Sequence, residues 1–251
     1  MLEIEKVLIG ILQGIFEWLP ISSEGIVALL SNFLLKEINP IDFAIVLHLG
    51  TLFAVLIYFF KDFLNVLLYK DRFLFWFLAI STPVSLIVGF ILYKIVNYFI
   101  FGNILLLLTG FGLIFTSLLQ KRKLKMKIHH HKLAILVGIL QGFSVIPGFS
   151  RSASTIFGLS LGQFSPYEIL KISYMMSVPL VFLSSLYLYF KNPQLFSFSI
   201  EALFSSFLSG ILTLHFLMRI SQRLNFSKFT FIFGLLCIVG FLITLFYFYV
   251  N

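Results

Sequence analysis

Apolar residues fill this chain in long runs, and charged residues collect in the short gaps between them. Six runs are long enough to cross a bilayer as helices, at about 42 to 60, 73 to 93, 100 to 119, 169 to 190, 200 to 218 and 229 to 250. A helix needs roughly 20 such residues to pass through about 30 Å of hydrocarbon. Two more runs, 7 to 35 and 133 to 162, are broken near their middles by Pro, Gly and Ser, at Pro20 to Gly25 and at Pro147 to Ser154. Each half is too short to cross alone. Broken backbone at membrane depth persists only where protein or a wet cavity satisfies its polar groups, so both breaks are expected to line an internal cavity.

The gaps assign sidedness. Lys121 to Lys132 holds six Lys or Arg, no acid and the triplet His129 to His131, which makes it cytoplasmic by the positive-inside rule. Lys61 to Arg72 (three basic, two acidic) and Arg219 to Lys228 (three basic, no acid) join it there, whereas the connections near Lys94 and Lys191 are poor in charge and are assigned outside. Threading the six spans through these positions puts residues 133 and 166 on the same, cytoplasmic side, so the run between them turns back as a re-entrant hairpin. The ends of the first broken run fall outside by the same arithmetic.

A repeat sharpens this. Gly10-Ile-Leu-Gln-Gly14 recurs as Gly138-Ile-Leu-Gln-Gly142, an offset of 128 residues in a chain of 251. Each half then reads as one broken run followed by three spans, and an odd number of spans inserts the second half upside down. The expected fold is an all-α polytopic membrane protein of two inverted-topology repeats, each a re-entrant broken helix hairpin plus three transmembrane helices. Residues 1–251 form a single integral membrane domain, with repeat one at about 1–120, repeat two at about 133–251 and the basic loop 121–132 between them.

Composition adds exclusions. With 18 basic and 10 acidic side chains, a net charge of +8 and a mean hydropathy of +1.05, the chain cannot coat a soluble globule of its length. Its cations lie between apolar runs, where they set topology and meet anionic headgroups, which argues against a nucleic-acid partner. The single cysteine, Cys237, lies inside an apolar run and is assigned to packing.

The breaks carry the chemistry. Most acids sit at the ends of apolar runs, but Glu17 and Glu24 do not. Gln13 and Glu17 are four apart and share a helical face, and Glu17 stands among Phe16, Trp18 and Leu19. A carboxylate there costs a few kcal/mol unless hydrated, protonated or paired with a cation, which suits a group that exchanges protons. The second break reads Pro147-Gly-Phe-Ser150-Arg151-Ser152-Ala-Ser154-Thr155 and opens a helix. Hydroxyls, a helix N-terminus and a guanidinium together make an anion site suited to phosphate. A structural ion pair between Glu17 and Arg151, with serines as helix caps, is the competing reading. A cap needs one hydroxyl, yet Ser22, Ser23, Ser150, Ser152, Ser154 and Thr155 crowd the two breaks.

At these residues the sequence resembles the undecaprenyl-diphosphate phosphatase family of the bacitracin-resistance type, membrane enzymes that regenerate a polyprenyl monophosphate carrier. The family's Glu/Gln-x-x-x-Glu followed by Pro-x-Ser-Ser-x-Gly-His is matched by Gln13, Glu17, Pro20, Ser22, Ser23 and Gly25, and its Pro-Gly-x-Ser-Arg-Ser-x-x-Thr is complete from Pro147 to Thr155. Leu49-Gly50 and Ser177-Val-Pro179 extend the likeness along the chain. One position departs from it: Ile26 stands where the family has histidine. His48 could stand in as an acid or base, although a lone histidine on an apolar helix reads first as packing; His215 has less to recommend it, and His129 to His131 belong to the basic loop.

The resemblance implies a multi-pass enzyme of the cell membrane that hydrolyses a polyprenyl diphosphate to its monophosphate and phosphate. Arg151, with Ser150, Ser152 and Thr155, would hold the phosphates. Ser23 would be nucleophile or phosphate ligand beside Ser22, with Glu17 as base or water orienter and Gln13 as its support. A divalent cation, Mg or Ca, can bridge Glu17 to the diphosphate, although no dedicated metal cage is visible. Two other classes stay open: a polyprenyl-phosphate transporter or flippase using the same cavity, and an intramembrane serine hydrolase, which the missing Gly-x-Ser-x-Gly elbow disfavours.

Overall fold

The computed structural model describes residues 2–20, 23–35, 38–95, 102–121, 129–145, 149–162 and 164–250. These residues are helical nearly throughout: α1 (Leu2–Phe16), α2 (Ser23–Leu34), α3 (Pro40–Tyr58), α4 (Phe60–Leu67), α5 (Arg72–Ile95), α6 (Gly102–Lys121), α7 (His130–Gly142), α8 (Arg151–Ser160), α9 (Pro166–Lys191), α10 (Pro193–Phe198), α11 (Ile200–Ser221) and α12 (Phe226–Val250). Among them α5, α9 and α11 each contain a stretch long and apolar enough to cross a membrane, and α3 with α4 forms a fourth such span if the bent pair is counted as one. α6 and α12, of 20 and 25 residues, fall on the two remaining apolar runs. Ser22, Pro147, Gly148 and Arg122 to Ile128 lie outside the described residues.

The expected breaks are present. α1, α2, α7 and α8 have 15, 12, 13 and 10 residues, about 15 to 23 Å at 1.5 Å per residue, short of the hydrocarbon thickness. Local chemistry starts the helices after the second break. Ser150 caps α8 by accepting from the Ala153 amide, and Ser165 caps α9 in a reciprocal capping box with Glu168, with Pro166 in the first turn. Two connections are more ordered than the charge pattern suggests. The segment Lys61 to Arg72 contains α4, bent 73° from α3, and the connection after Lys191 contains α10.

Close approach at small residues fixes the packing. Gly10 and Gly14 face Ser205 and Ser209, so α1 and α11 run parallel. Gly138 and Gly142 face Ser81 and Ser85, so α7 and α5 run parallel as well. A Cβ on any of the four would collide with the facing helix, whereas hydrogen lets the backbones meet. α3 lies parallel to α11, with Ser206 Oγ donating to the Leu47 carbonyl at 3.0 Å and Gly210 against Thr51. α6 and α12 are antiparallel, since Ser117 Oγ donates to the Ser227 carbonyl at 2.8 Å while Gly110 meets Cys237. α3 and α9 are antiparallel too, since Asp42 at the start of α3 pairs with Lys191 at the end of α9, while Asp62 of α4, just beyond α3, pairs with Lys171 near the start of α9.

The starts of α5 and α7 lie side by side, with the Phe73 and His130 rings 4.9 Å apart. The ends of α3 and α11 also meet, through Tyr58 and His215. The ends of the segments carrying the basic gaps therefore gather at one end of the bundle. Buried side chains such as Trp18, Phe59, Ile156, Leu159, Tyr174 and Phe229 form one core around the breaks. Phe53, Phe115, Phe190, Phe204 and Phe216 point outward, as helices facing lipid require.

Candidate active site

The first break is held on both sides. The Glu17 amide donates to the Gln13 carbonyl (2.9 Å) and Leu19 to Phe16 (3.1 Å), which carries the last turn of α1 past its end. The buried Trp18 indole N–H donates to the Gly210 carbonyl at 2.9 Å, and its ring meets Tyr174 edge-on at 5.0 Å. The Tyr174 hydroxyl in turn donates to the Trp18 carbonyl at 2.9 Å. Each contact satisfies a polar group that the break would leave bare in a dry interior.

Glu17 is the hub. Its Oε2 accepts from Gln13 Nε2 (2.9 Å) and Ser23 Oγ (2.8 Å) and lies 3.1 Å from His48 Nε2. Its Oε1 accepts from Arg151 Nη2 at 2.8 Å. Four elements thus converge on one carboxylate: α1, α2, α3 and α8. The Glu17 side chain is 4 % exposed and those of Arg151 and His48 are 11 % and 15 %, so these charges are largely removed from water and strengthened by it. Glu24, in the first turn of α2, is within electrostatic reach of Glu17 and His48.

The second break supplies the hydroxyls. Ser150 Oγ lies 3.1 Å from Ser152 Oγ, and Ser152 Oγ donates to the Leu19 carbonyl at 3.0 Å, tying the two breaks together. Thr155 Oγ1 lies 2.6 Å from Ser173 Oγ and donates to the Arg151 carbonyl at 3.0 Å; Arg151 Nη1 donates to the Ser173 carbonyl at 3.3 Å. α2 and α8 both begin at this centre, so two helix N-termini add positive potential to the guanidinium.

Gln13, Glu17, Ser23, Ser150, Arg151, Ser152 and Thr155, named from the sequence, therefore stand in one cluster. Ser22 lies outside the described residues. His48, read first as packing, is on Glu17, and Ile26 is half-buried in the first turn of α2. Sequence reasoning missed Ser173 and Tyr174: it singled out Ser177, one turn further along the same face of α9, and a Ser-Tyr pair within an apolar helix carries no signal of its own. Both Glu17 oxygens are engaged by donors, two of them on basic side chains, and among the described residues no group of three His, Cys, Asp or Glu side chains is placed to hold a metal ion.

These features define a class: a protein helical nearly throughout its described residues, with several helices long and apolar enough to cross a membrane and a buried, charged, hydroxyl-rich centre where α1, α2, α3 and α8 meet. A family-wide sequence profile described as bacitracin resistance protein BacA matches residues 6–240, and the chain belongs to that family. Its relatives include an undecaprenyl-diphosphatase of Methanococcoides burtonii, 32 % identical with 94 % of this chain and 97 % of the relative aligned. Another, of Caldicellulosiruptor bescii, is 31 % identical over 90 % and 92 %. A third, of Methanococcus vannielii, is 31 % identical over 97 % and 99 %.

Proposed function

We propose that this chain is an undecaprenyl-diphosphate phosphatase, hydrolysing the lipid diphosphate to its monophosphate and phosphate in the cell membrane. The observation that carries this reading is the convergence of Glu17, Ser23 and Arg151, from two separate breaks, on one largely buried centre. It matches the chemistry in its relatives' names. Arg151 turns from Glu17 to the terminal phosphate and neutralises charge on the transferred phosphoryl group, helped by the hydroxyls of Ser150, Ser152 and Thr155 and the α8 N-terminus. The nucleophile is the Ser23 hydroxyl or a water held beside it. As its oxygen bonds to the terminal phosphorus, its proton passes to Glu17 Oε2, and the bridging O–P bond breaks to release the polyprenyl monophosphate. Attack by water frees phosphate at once, whereas attack by Ser23 leaves a phosphoserine that a water then hydrolyses to phosphate and the free hydroxyl. Gln13 keeps Glu17 aligned. The isoprenoid tail lies among the Phe- and Leu-rich helices.

The finer architecture belongs to the same proposal: two inverted-topology repeats with the basic gaps cytoplasmic. It is supported by the opposed directions of the partners α3 and α9 and α6 and α12, and by the exchange in which α1 packs on α11 of the second half while α7 packs on α5 of the first. Phosphate release from a long-chain prenyl diphosphate in detergent tests the activity. Movement of polyprenyl phosphate across liposomes without release would favour a flippase instead. Single cysteines at Met126 and Ile38, in a Cys237→Ser background, are expected to label from inside and outside respectively. Labelling of both from one face would remove the inverted repeat.

A further inference from the structure

His48 sits in the middle of the long helix α3, outside both breaks, yet its ring ties the first of them to the rest of the bundle. Nδ1 is 2.6 Å from the Ala44 carbonyl, and a carbonyl oxygen can only accept, so Nδ1 carries a hydrogen. That bond fixes the ring plane and presents Nε2 to Glu17 Oε2 at 3.1 Å. The helix behind the ring is itself held, because the Leu47 carbonyl accepts from Ser206 Oγ and Gly50 lies against the α11 backbone.

The other Oε2 partners, Gln13 and Ser23, belong to the first broken hairpin, as Glu17 itself does. The Oε1 partner, Arg151, is the group that the proposed reaction sends to the phosphate. His48 is therefore the one described Oε2 partner rooted in an unbroken helix. Without it, a carboxylate that has given up Arg151 keeps only hairpin contacts and can follow the guanidinium toward the substrate, away from the Ser23 hydroxyl. A displacement of about 1 Å in such a group can cost on the order of 10²-fold in rate.

We propose that His48 is a positioning residue for the phosphatase reaction: its Nε2 contact, braced by the Ala44 carbonyl, keeps Glu17 on Ser23 while Arg151 engages the phosphate. The inference rests on the proposed activity. It predicts a turnover defect and not a binding defect, since His48 has no task toward the substrate itself.

The test is steady-state phosphate release from a long-chain prenyl diphosphate by wild type, His48→Ala, His48→Met and His48→Gln in one detergent. His48→Ala and His48→Met are expected to lower kcat by about 10²-fold with KM within about threefold of wild type. His48→Gln, which returns an N–H at similar reach without an imidazole, is expected to recover at least about a tenth of the wild-type kcat. Near wild-type kcat in the alanine and methionine variants overturns the proposal, as does a loss carried by KM. A glutamine variant as impaired as the methionine one overturns it too, because the restored donor then does nothing. Wild-type protein that releases no phosphate overturns both this inference and the activity beneath it, whereas wild-type turnover with an unimpaired His48→Met removes the inference alone.

Discussion

The two broken hairpins share a packing plan and divide the chemistry. In both, Gly-Ile-Leu-Gln-Gly brings a short helix against a long helix of the other half, with Gly14 on α11 and Gly142 on α5. In both, a hydroxyl-rich turn leads into a second short helix. Beyond that they part. Gln13 donates to Glu17, whereas its counterpart Gln141 donates to Ser85 Oγ and the Met176 carbonyl at 3.2 Å each, locking three elements of the scaffold together. Where the first break carries Glu17, the second, 128 residues on, has Val145; where the second carries Arg151, the first has Ser23 opening its helix. One half thus supplies the carboxylate and the other the guanidinium. The glycines that bring the backbones together are common to both, and the groups proposed to meet a phosphate are not.

Three sets of substitutions can break or sharpen that contrast. The largest effect is expected where the halves are alike. Gly14→Leu drives a side chain into the α11 backbone and Gly142→Leu into Val88 and the Ser85 carbonyl, clashes that exceed the roughly 1–3 kcal/mol of ordinary overpacking. Neither protein is expected to elute as a monodisperse peak in detergent; a well-folded variant of either would show that its hairpin does not need the close approach. Next come the residues in which the halves differ. Arg151→Lys should lose about 10³-fold in phosphate release, because a point charge does not reproduce a bidentate fork on phosphate. Glu17→Gln should lose about 10²-fold or more as the base is removed, and both should still insert and purify. Retained turnover in Arg151→Lys would sink the clamp, and a Glu17→Gln protein that aggregates while active per folded molecule would make Glu17 a structural partner. The smallest effects separate the two glutamines. Gln13→Ala should slow turnover by about tenfold with little change in melting, the scale of a lost hydrogen bond to a charged group. Gln141→Ala should lower stability by about 1 kcal/mol in thermal unfolding with turnover unchanged. The reverse outcome would mean that the division of labour has been assigned to the wrong halves.

Much of this was legible along the chain. The interruptions at Pro20 and Pro147 are visible because Pro, Gly and Ser cannot continue an apolar helix unnoticed, and the motif residues lie within a few positions of each other in each half. The repeat was visible for the same reason, since close backbone contact tolerates few residue types. What stayed hidden depends on helices distant in sequence settling into register. His48 reaches Glu17 only because α3 is docked on α11 through Leu47, Gly50 and Thr51, and nothing in the apolar run announces that rotation. Ser173 of α9 reaches Thr155 of α8, and Tyr174 of α9 reaches Trp18 just past α1, for similar reasons. The helix α4 escaped notice because charge counting reads Lys61 and Asp62 as a loop, whereas the apolar residues between them and Tyr69 let the segment lie helical at the bend.

The anchoring of Trp18 has an optical consequence. The chain has two tryptophans, one buried in the first break with its N–H on Gly210 and its ring on Tyr174, the other, Trp76, half exposed with its N–H on the Tyr69 hydroxyl. Replacing Trp76 by Phe leaves a single indole, buried beside Glu17 and sensitive to the polarity around it. Its emission maximum and its access to water-soluble quenchers then report the surroundings of the first break, so the protein contains a fluorophore at its own centre without any added label.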